Sequence, residues 1–463
     1  MIERLRRLGR IVRQPVLAET RGLLAGGWGS LPPRFRVLQQ MYGRQGNACG
    51  ATIGAMPRCD FACRGCYLGE AANHIPPEPI EAIKAQMRAL RPVLGNNGNL
   101  QLTDGEITLR PEAELIVLLR YADQLGLIPM LMTHGDSFRR RPGLLERLMV
   151  EGGLREVSIH VDTTMRGRAG GAYKHATREQ DLNPLREEFA DLIRSARKRT
   201  GQPLVAATTM TITRDNLDGV PAALRCVMGL ADAFKMISFQ PAAQVGRTED
   251  GLGGGVGAEE LWQRIAMGLE GPVRDAGYLT RCQMWLGHPG CNRTVHGYVV
   301  RQKGGPLVYA PLRLQGDPVD ERAIDRYLAR FGGASFRRDT RLEGRVRLAS
   351  MIARAPRLWL SDVAPFLAHL VGRMDPERPL RLAWRLLAGK ARADHFQIVS
   401  HHFMSQAEIE TALGQERLGM CVFKVPIGER LLSMCEVNAL GVRDRYYEDI
   451  RAADGSGREL RIL

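Results

Sequence analysis

Residues 56–70 read MPRCDFACRGCYLGE and set three cysteines, Cys59, Cys63 and Cys66, at Cys-x3-Cys-x2-Cys spacing with Tyr67 directly behind the last. Thiols this close have three uses: a disulfide, a zinc site or an iron–sulfur cluster. A disulfide strands one thiol of three. Structural zinc wants four nitrogen or sulfur ligands, and no fourth Cys or His follows closely. A four-iron cube held by three thiolates keeps one iron open, which is what a catalytic cluster needs. Gly65 and Ala62 let the backbone wrap closely around a bulky inorganic group.

The trio followed by an aromatic residue resembles the radical S-adenosylmethionine (radical SAM) superfamily. The resemblance implies that Cys59, Cys63 and Cys66 ligate a [4Fe-4S] cluster whose open iron is chelated by SAM. It further implies reductive cleavage of SAM to a 5′-deoxyadenosyl radical that abstracts a hydrogen atom. Thr103-Asp104-Gly105-Glu106 resembles the Gly-Gly-Glu-type segment of that superfamily, with Asp104 where the first Gly stands. On that likeness Gly105 and Glu106 hold the methionine end of SAM, Tyr67 helps cover it, and Thr103 and Asp104 belong to the same cofactor-binding turn.

Beyond the loop, strands and helices alternate. Strands are expected at 51–56, 99–103, 128–133, 156–161, 204–212 and 236–240. Helices are expected near 77–90, 111–124, 144–150, 184–198, 217–231 and 259–270. Such alternation implies a parallel sheet with right-handed crossovers. The expected fold is therefore α/β, a partial (β/α)6 TIM-type barrel. Its chemistry should sit at the C-terminal ends of the strands. Polar residues stand there: Thr103 to Glu106, Thr133 to Asp136, then Ser158, His160 and Asp162, then Thr208, Thr209 and Thr211, and Gln240. Ser158, His160 and Asp162 alternate and so share one face; with Gln240 they are candidates for contact with SAM or substrate. The loop Gly253 to Gly255 does not join a strand to a helix and carries no phosphate-binding expectation.

Three regions are expected: a basic amphipathic extension over 1–48, the barrel over 49–275, and a C-terminal domain over 276–463. In that last region Cys282, Cys291, Cys421 and Cys435 supply four thiols, enough for an auxiliary [4Fe-4S] cluster with every iron ligated. Zinc on the same ligands, or four unrelated buried thiols, are the alternatives, and His288 is a substitute ligand. Cys49 and Cys226 have no partner pattern and read as core or loop. Cys282-x5-His288-Pro289-x-Cys291 with Thr294 and Tyr298 is similar to a segment of tetraether-lipid-synthase-like and pterin-methyltransferase-type radical SAM proteins. His402-Phe403-Met404 and the run from Cys421 through Pro426, Gly428 and Met434-Cys435 to Asn438 resemble that group's ending. The first Cys-to-His spacing is longer here.

The chain of 463 residues carries a net charge of +15, which calls for an anionic partner. Residues 2–13 place Ile2, Leu5, Leu8, Ile11 and Val12 at helical spacing among five arginines, and 337–374 is likewise basic and amphipathic. Either can rest on an anionic membrane surface, or pack on the protein itself. Aromatic content of 6% is low for base stacking, so nucleic acid is not the expected partner. No apolar run is long enough to span a bilayer, and thiols that serve metals fit a reducing cytoplasm, with a peripheral place on the membrane's inner face. The functional expectation is hydrogen abstraction from an unactivated carbon of a lipid, as in C–C bond formation, with flavodoxin or ferredoxin as reductant. Peptide maturation, methylation of a pterin or RNA, and a non-catalytic zinc or iron–sulfur protein are the alternatives.

Overall fold

The computed structural model describes residues 2–168, 171–248, 252, 255–302, 307–428 and 430–453. Gly253 and Gly254 lie outside them. The six expected strands form as β1 (Gly50–Met56), β2 (Asn99–Asp104), β3 (Ile128–Thr133), β4 (Glu156–His160), β5 (Val205–Ile212) and β6 (Phe234–Pro241). They lie side by side in chain order, each parallel to the next. Buried runs such as Ile83, Met87 and Leu90 mark the helix faces that cover them. This is the open α/β barrel expected from the alternation.

The region after residue 275 adds strands to the same sheet. It contributes β7 (Asn292–Gln302), β8 (Val308–Pro311), β9 (Ala391–His401), β10 (Phe423–Ile427) and β11 (Arg430–Ser433). All eleven strands make one sheet in the order β11-β10-β1-β2-β3-β4-β5-β6-β9-β7-β8. β10 joins β1 in parallel and β9 joins β6 in parallel. The six-strand arc is thereby lengthened at both ends, and the sheet stays open among the described residues.

The N-terminal helix Ile2–Arg13 packs on the protein's own body. Arg7 pairs with Glu343 at 2.9 Å, and Ser350 and Arg354 donate to the carbonyl of Val12. Ile11 is buried there while Leu5 faces outward. No described helix is long and apolar enough to cross a membrane.

Candidate active site

The cluster loop leaves β1 and is stitched down before any ligand is considered. Ala62 N–H donates to Arg166 O and Arg64 N–H to Thr164 O, tying the loop to the segment after β4. Cys59 N–H donates to Asn73 Oδ1 at 2.9 Å, and Cys59 Sγ accepts from Phe61 N–H. Arg247 N–H donates to Cys66 O from the loop after β6. Burial, then the neighbouring Cys66, pushes the Cys63 thiol up to about 12. Thiolates in this setting form when a metal replaces their protons.

Above the loop lies a cavity of about 200 Å³. Cys59, Cys63, Cys66, Tyr67, Thr103, Asp104, Gly105, Glu106, Ser158, His160 and Gln240 all line it. Asp162 does not; it stands behind His160, whose Nε2 lies 2.6 Å from its carboxylate. Burial opposes charge on Asp162, but His160, Thr164 and the Thr211 N–H outweigh it and hold the carboxyl below its usual range.

Two candidate ligands are already engaged. Glu106 accepts from Thr108 N–H and Thr133 Oγ1 on one oxygen and from His134 N–H on the other. Asp104 accepts from Tyr67, Tyr447 and Arg443. Both carboxylates line the cavity and are held in place by these partners. Ser158 Oγ shares a hydrogen bond with Thr209. By contrast the side-chain amide of Gln240 and His160 Nδ1 make no hydrogen bond among the described residues. Arg247 also lines the cavity, and its Nε is buried without a partner. His134 belongs to the polar end of β3 that the sequence marks, whereas Arg247, Asp60 and Arg443 do not stand out as site residues in the sequence. Two of them lie far along the chain, and nothing local distinguishes an arginine aimed inward from one on a solvated face.

The trio fits a cluster better than a zinc ion. Zinc at about 2.3 Å from each thiolate draws sulfurs to about 3.8 Å from one another. Among the described residues the group at this loop whose ligand atoms lie within 4.8 Å is Cys59, Asp60 and His134, not the three thiols. Asp60 and His134 there are 2.8 Å apart and bonded to each other, and His134 stacks on Phe61.

The second expected set is rearranged. Cys282 is buried in the main core beside Tyr309, its thiol directed at Tyr278 O. The charges that act on it come from Arg373, Arg281, Arg313 and Asp320, and none from a cysteine. Cys49 takes its place: Cys49, Cys291, Cys421 and Cys435 line one small apolar cavity. Burial first, then Cys421 and Cys291, raises the Cys49 thiol. His288 lines the same cavity, its Nε2 bonded to Glu416 and its Nδ1 accepting from Gly290 N–H. All nine cysteines are free of disulfides.

Residues 53–227 match the sequence model of the radical SAM superfamily. No curated protein matches the chain. Among solved structures the chain is similar to Streptococcus suis SuiB bound to precursor peptide SuiA, at 14% identity and a TM-score of 0.31, over 42% of this chain and 40% of that one. It is similar to the radical SAM methyltransferase TsrM from Kitasatospora setae at 15% identity and a TM-score of 0.27, over 42% of this chain and 36% of that one. It is also similar to methylornithine synthase (PylB), at 16% identity and a TM-score of 0.30, over 50% of this chain and 66% of that one. The chain thus spans about two fifths of the SuiB chain, and scores at this level say nothing of a shared substrate. The segment from β1 to the helix after β5, opening on the cysteine trio, thus carries the match to the radical SAM superfamily.

Proposed function

We propose that this enzyme abstracts hydrogen from an unactivated carbon of a lipid. A [4Fe-4S] cluster on Cys59, Cys63 and Cys66 and its bound SAM would supply the 5′-deoxyadenosyl radical that performs the step. One observation carries the reading: the three thiols line one pocket together with Tyr67 and the whole turn Thr103 to Glu106.

The chain's own residues do the rest. Asn73 and the Phe61 N–H fix Cys59 on both sides. Arg247, Gln240 and His160 bring unspent polar atoms to the cavity. The Arg247 guanidinium suits the carboxylate of SAM, because a charge-assisted pair in a dry pocket is strong. His160 is held by Asp162 and Thr211 through Nε2, leaving Nδ1 to accept or donate toward a ligand. Phe403, Phe423, Met132, Met165, Met404 and Met434 wall the remaining space with apolar groups. Such a wall excludes water and stray hydrogen donors from a reactive carbon radical.

The lipid substrate is supported by that wall and by an outward apolar face. On the helix Pro379–Leu387, Leu380, Trp384 and Leu387 are exposed by 86%, 57% and 90% at helical spacing, with Leu360 and Leu367 exposed nearby in sequence. Arg381, Arg385 and Lys390 fringe them. This pattern suits an anionic bilayer surface. The net charge likewise suits an acidic flavodoxin or ferredoxin as reductant.

Anaerobic reconstitution with iron and sulfide, then dithionite and SAM, tests the core of the reading. Wild type releases 5′-deoxyadenosine, and Cys59→Ala, Cys63→Ala and Cys66→Ala do not. Iron-loaded wild type that makes none defeats it.

A further inference from the structure

The cavity bounded by Cys49, Cys291, Cys421 and Cys435 is built from chain segments that are distant in sequence. Cys49 directly precedes β1, Cys291 directly precedes β7, Cys421 stands two residues before β10, and Cys435 is the second residue of the helix after β11. Sheet topology brings them together, because β10 lies beside β1 and Cys49 N–H donates to Val422 O. Four thiols converging from separate segments on one cavity are more than packing requires.

The surroundings suit a bound anion rich in sulfur. Arg417 Nε lies 3.5 Å from Cys291 Sγ, and Met404 N–H donates to Cys435 Sγ. His402 Nε2 is buried, lacks any partner, and belongs to a residue lining the same cavity. Each is a donor, or a group able to donate, placed where thiolate charge would develop. No three of the four sulfurs lie within 4.8 Å of one another among the described residues. A single zinc ion would hold them at about 3.8 Å. The described sulfurs therefore do not form a ready-made zinc cage.

We infer that Cys49, Cys291, Cys421 and Cys435 ligate a second [4Fe-4S] cluster. With four protein thiolates no iron is left open, so this cluster carries electrons and does not bind substrate. Its place fits electron transfer, since Phe403, Phe423, Met434 and Cys435 line both this cavity and the SAM pocket. Cys282 has no part in it.

The inference shares iron–sulfur chemistry with the proposed function but stands on separate cysteines, so the two fail separately. Iron and sulfide are counted on anaerobically reconstituted protein, with Mössbauer spectra to identify the cluster. Wild type and Cys282→Ser each load about eight irons, and Cys49→Ser falls to about four. A Cys59→Ala/Cys63→Ala/Cys66→Ala variant leaves this site untouched and keeps about four irons as a cubane. That variant serves even where Cys49→Ser fails to fold. Full loading of Cys49→Ser, loss of iron from Cys282→Ser, or zinc or no metal in the triple variant overturns the inference. The triple variant holding a cubane while wild type yields no 5′-deoxyadenosine overturns the proposed function and leaves this inference standing.

Discussion

Arg443, near the end of the described chain, donates to the carboxylate of Asp104 at the tip of β2, across 339 positions of sequence. Their side chains are 4% and 1% exposed. Tyr447 and Tyr67 donate to the same carboxylate, and the Arg443 guanidinium lies over the Tyr67 ring. Asp104 has φ of +81°, a region that Asp tolerates better than most residues. The pair thus latches the C-terminal helix Val442–Ala453 onto the turn that opens the SAM pocket. Arg443→Met leaves a buried carboxylate without its cation, and breaking such a pair costs about 3–5 kcal/mol. Urea unfolding measures the loss. Asp104→Asn with Arg443→Met should lose less than the two single changes summed, since the pair acts as one unit.

Gly105 is where the turn and the cluster loop approach most closely. A Cβ there would lie 2.1 Å from Arg58 O and 2.4 Å from Pro57 O. Both are backbone atoms just ahead of Cys59, so the loop itself must move. Gly105→Ala is expected to destabilise by about 1–3 kcal/mol through overpacking and to weaken SAM binding. Thermal unfolding and SAM titration check the two effects, and unchanged SAM affinity would contradict the loop's role.

The barrel strands were legible because alternating apolar strands and amphipathic helices repeat in one order, and a parallel sheet follows from that order alone. β9 and β10 were not, because they arrive after a long helical stretch and join a sheet already laid down. The same cause hid Cys49. It has no cysteine close by in sequence, and its partners come to it only because β10 docks beside β1. Cys282 looked right because it lies near Cys291 in sequence, but the short helix Ala276–Arg281 ends there and leaves the thiol in the core. Arg443 sits in a charged terminal helix, where a buried arginine is recognisable only with its distant carboxylate in view.

Arg247 separates binding from folding. Its guanidinium lines the pocket and makes no side-chain hydrogen bond among the described residues, so its removal breaks none of these. Arg247→Met should leave the unfolding midpoint near wild type. It should weaken SAM by about 10-fold or more, the worth of one hydrogen bond to a charged group. Equilibrium SAM binding measures it, and an unchanged affinity would remove Arg247 from the site.

Acid should loosen the far side of the sheet. Burial, then the neighbouring His395, lowers His296 on β7 to about 3. In the unfolded chain it takes up a proton near 6.5, its ordinary value. The unfolded state therefore binds more protons between these values. Stability is complete above about 6.5 and falls as pH drops toward 3, by at most about 1.4 kcal/mol per unit. Urea midpoints at pH 7 and pH 5 test this, with His296→Leu expected to flatten the dependence.

The outward face of the helix Pro379–Leu387 gives the last prediction. Leu382 on its inner side is fully buried against β7 and β8, while Leu380, Trp384 and Leu387 are exposed on its outer side. Lys390 Nζ lies 4.6 Å from the Trp384 ring centre, so a cation stands at the edge of the apolar patch. Each basic residue near an anionic leaflet adds about 1 kcal/mol, and the leucines add buried area. Wild type should float with vesicles that contain anionic lipid and less with neutral ones. Leu380→Ser/Trp384→Ser/Leu387→Ser should abolish flotation while leaving iron loading and the unfolding midpoint unchanged. Wild type that stays with the soluble fraction on anionic vesicles would remove this face as a bilayer contact and weaken the lipid reading with it.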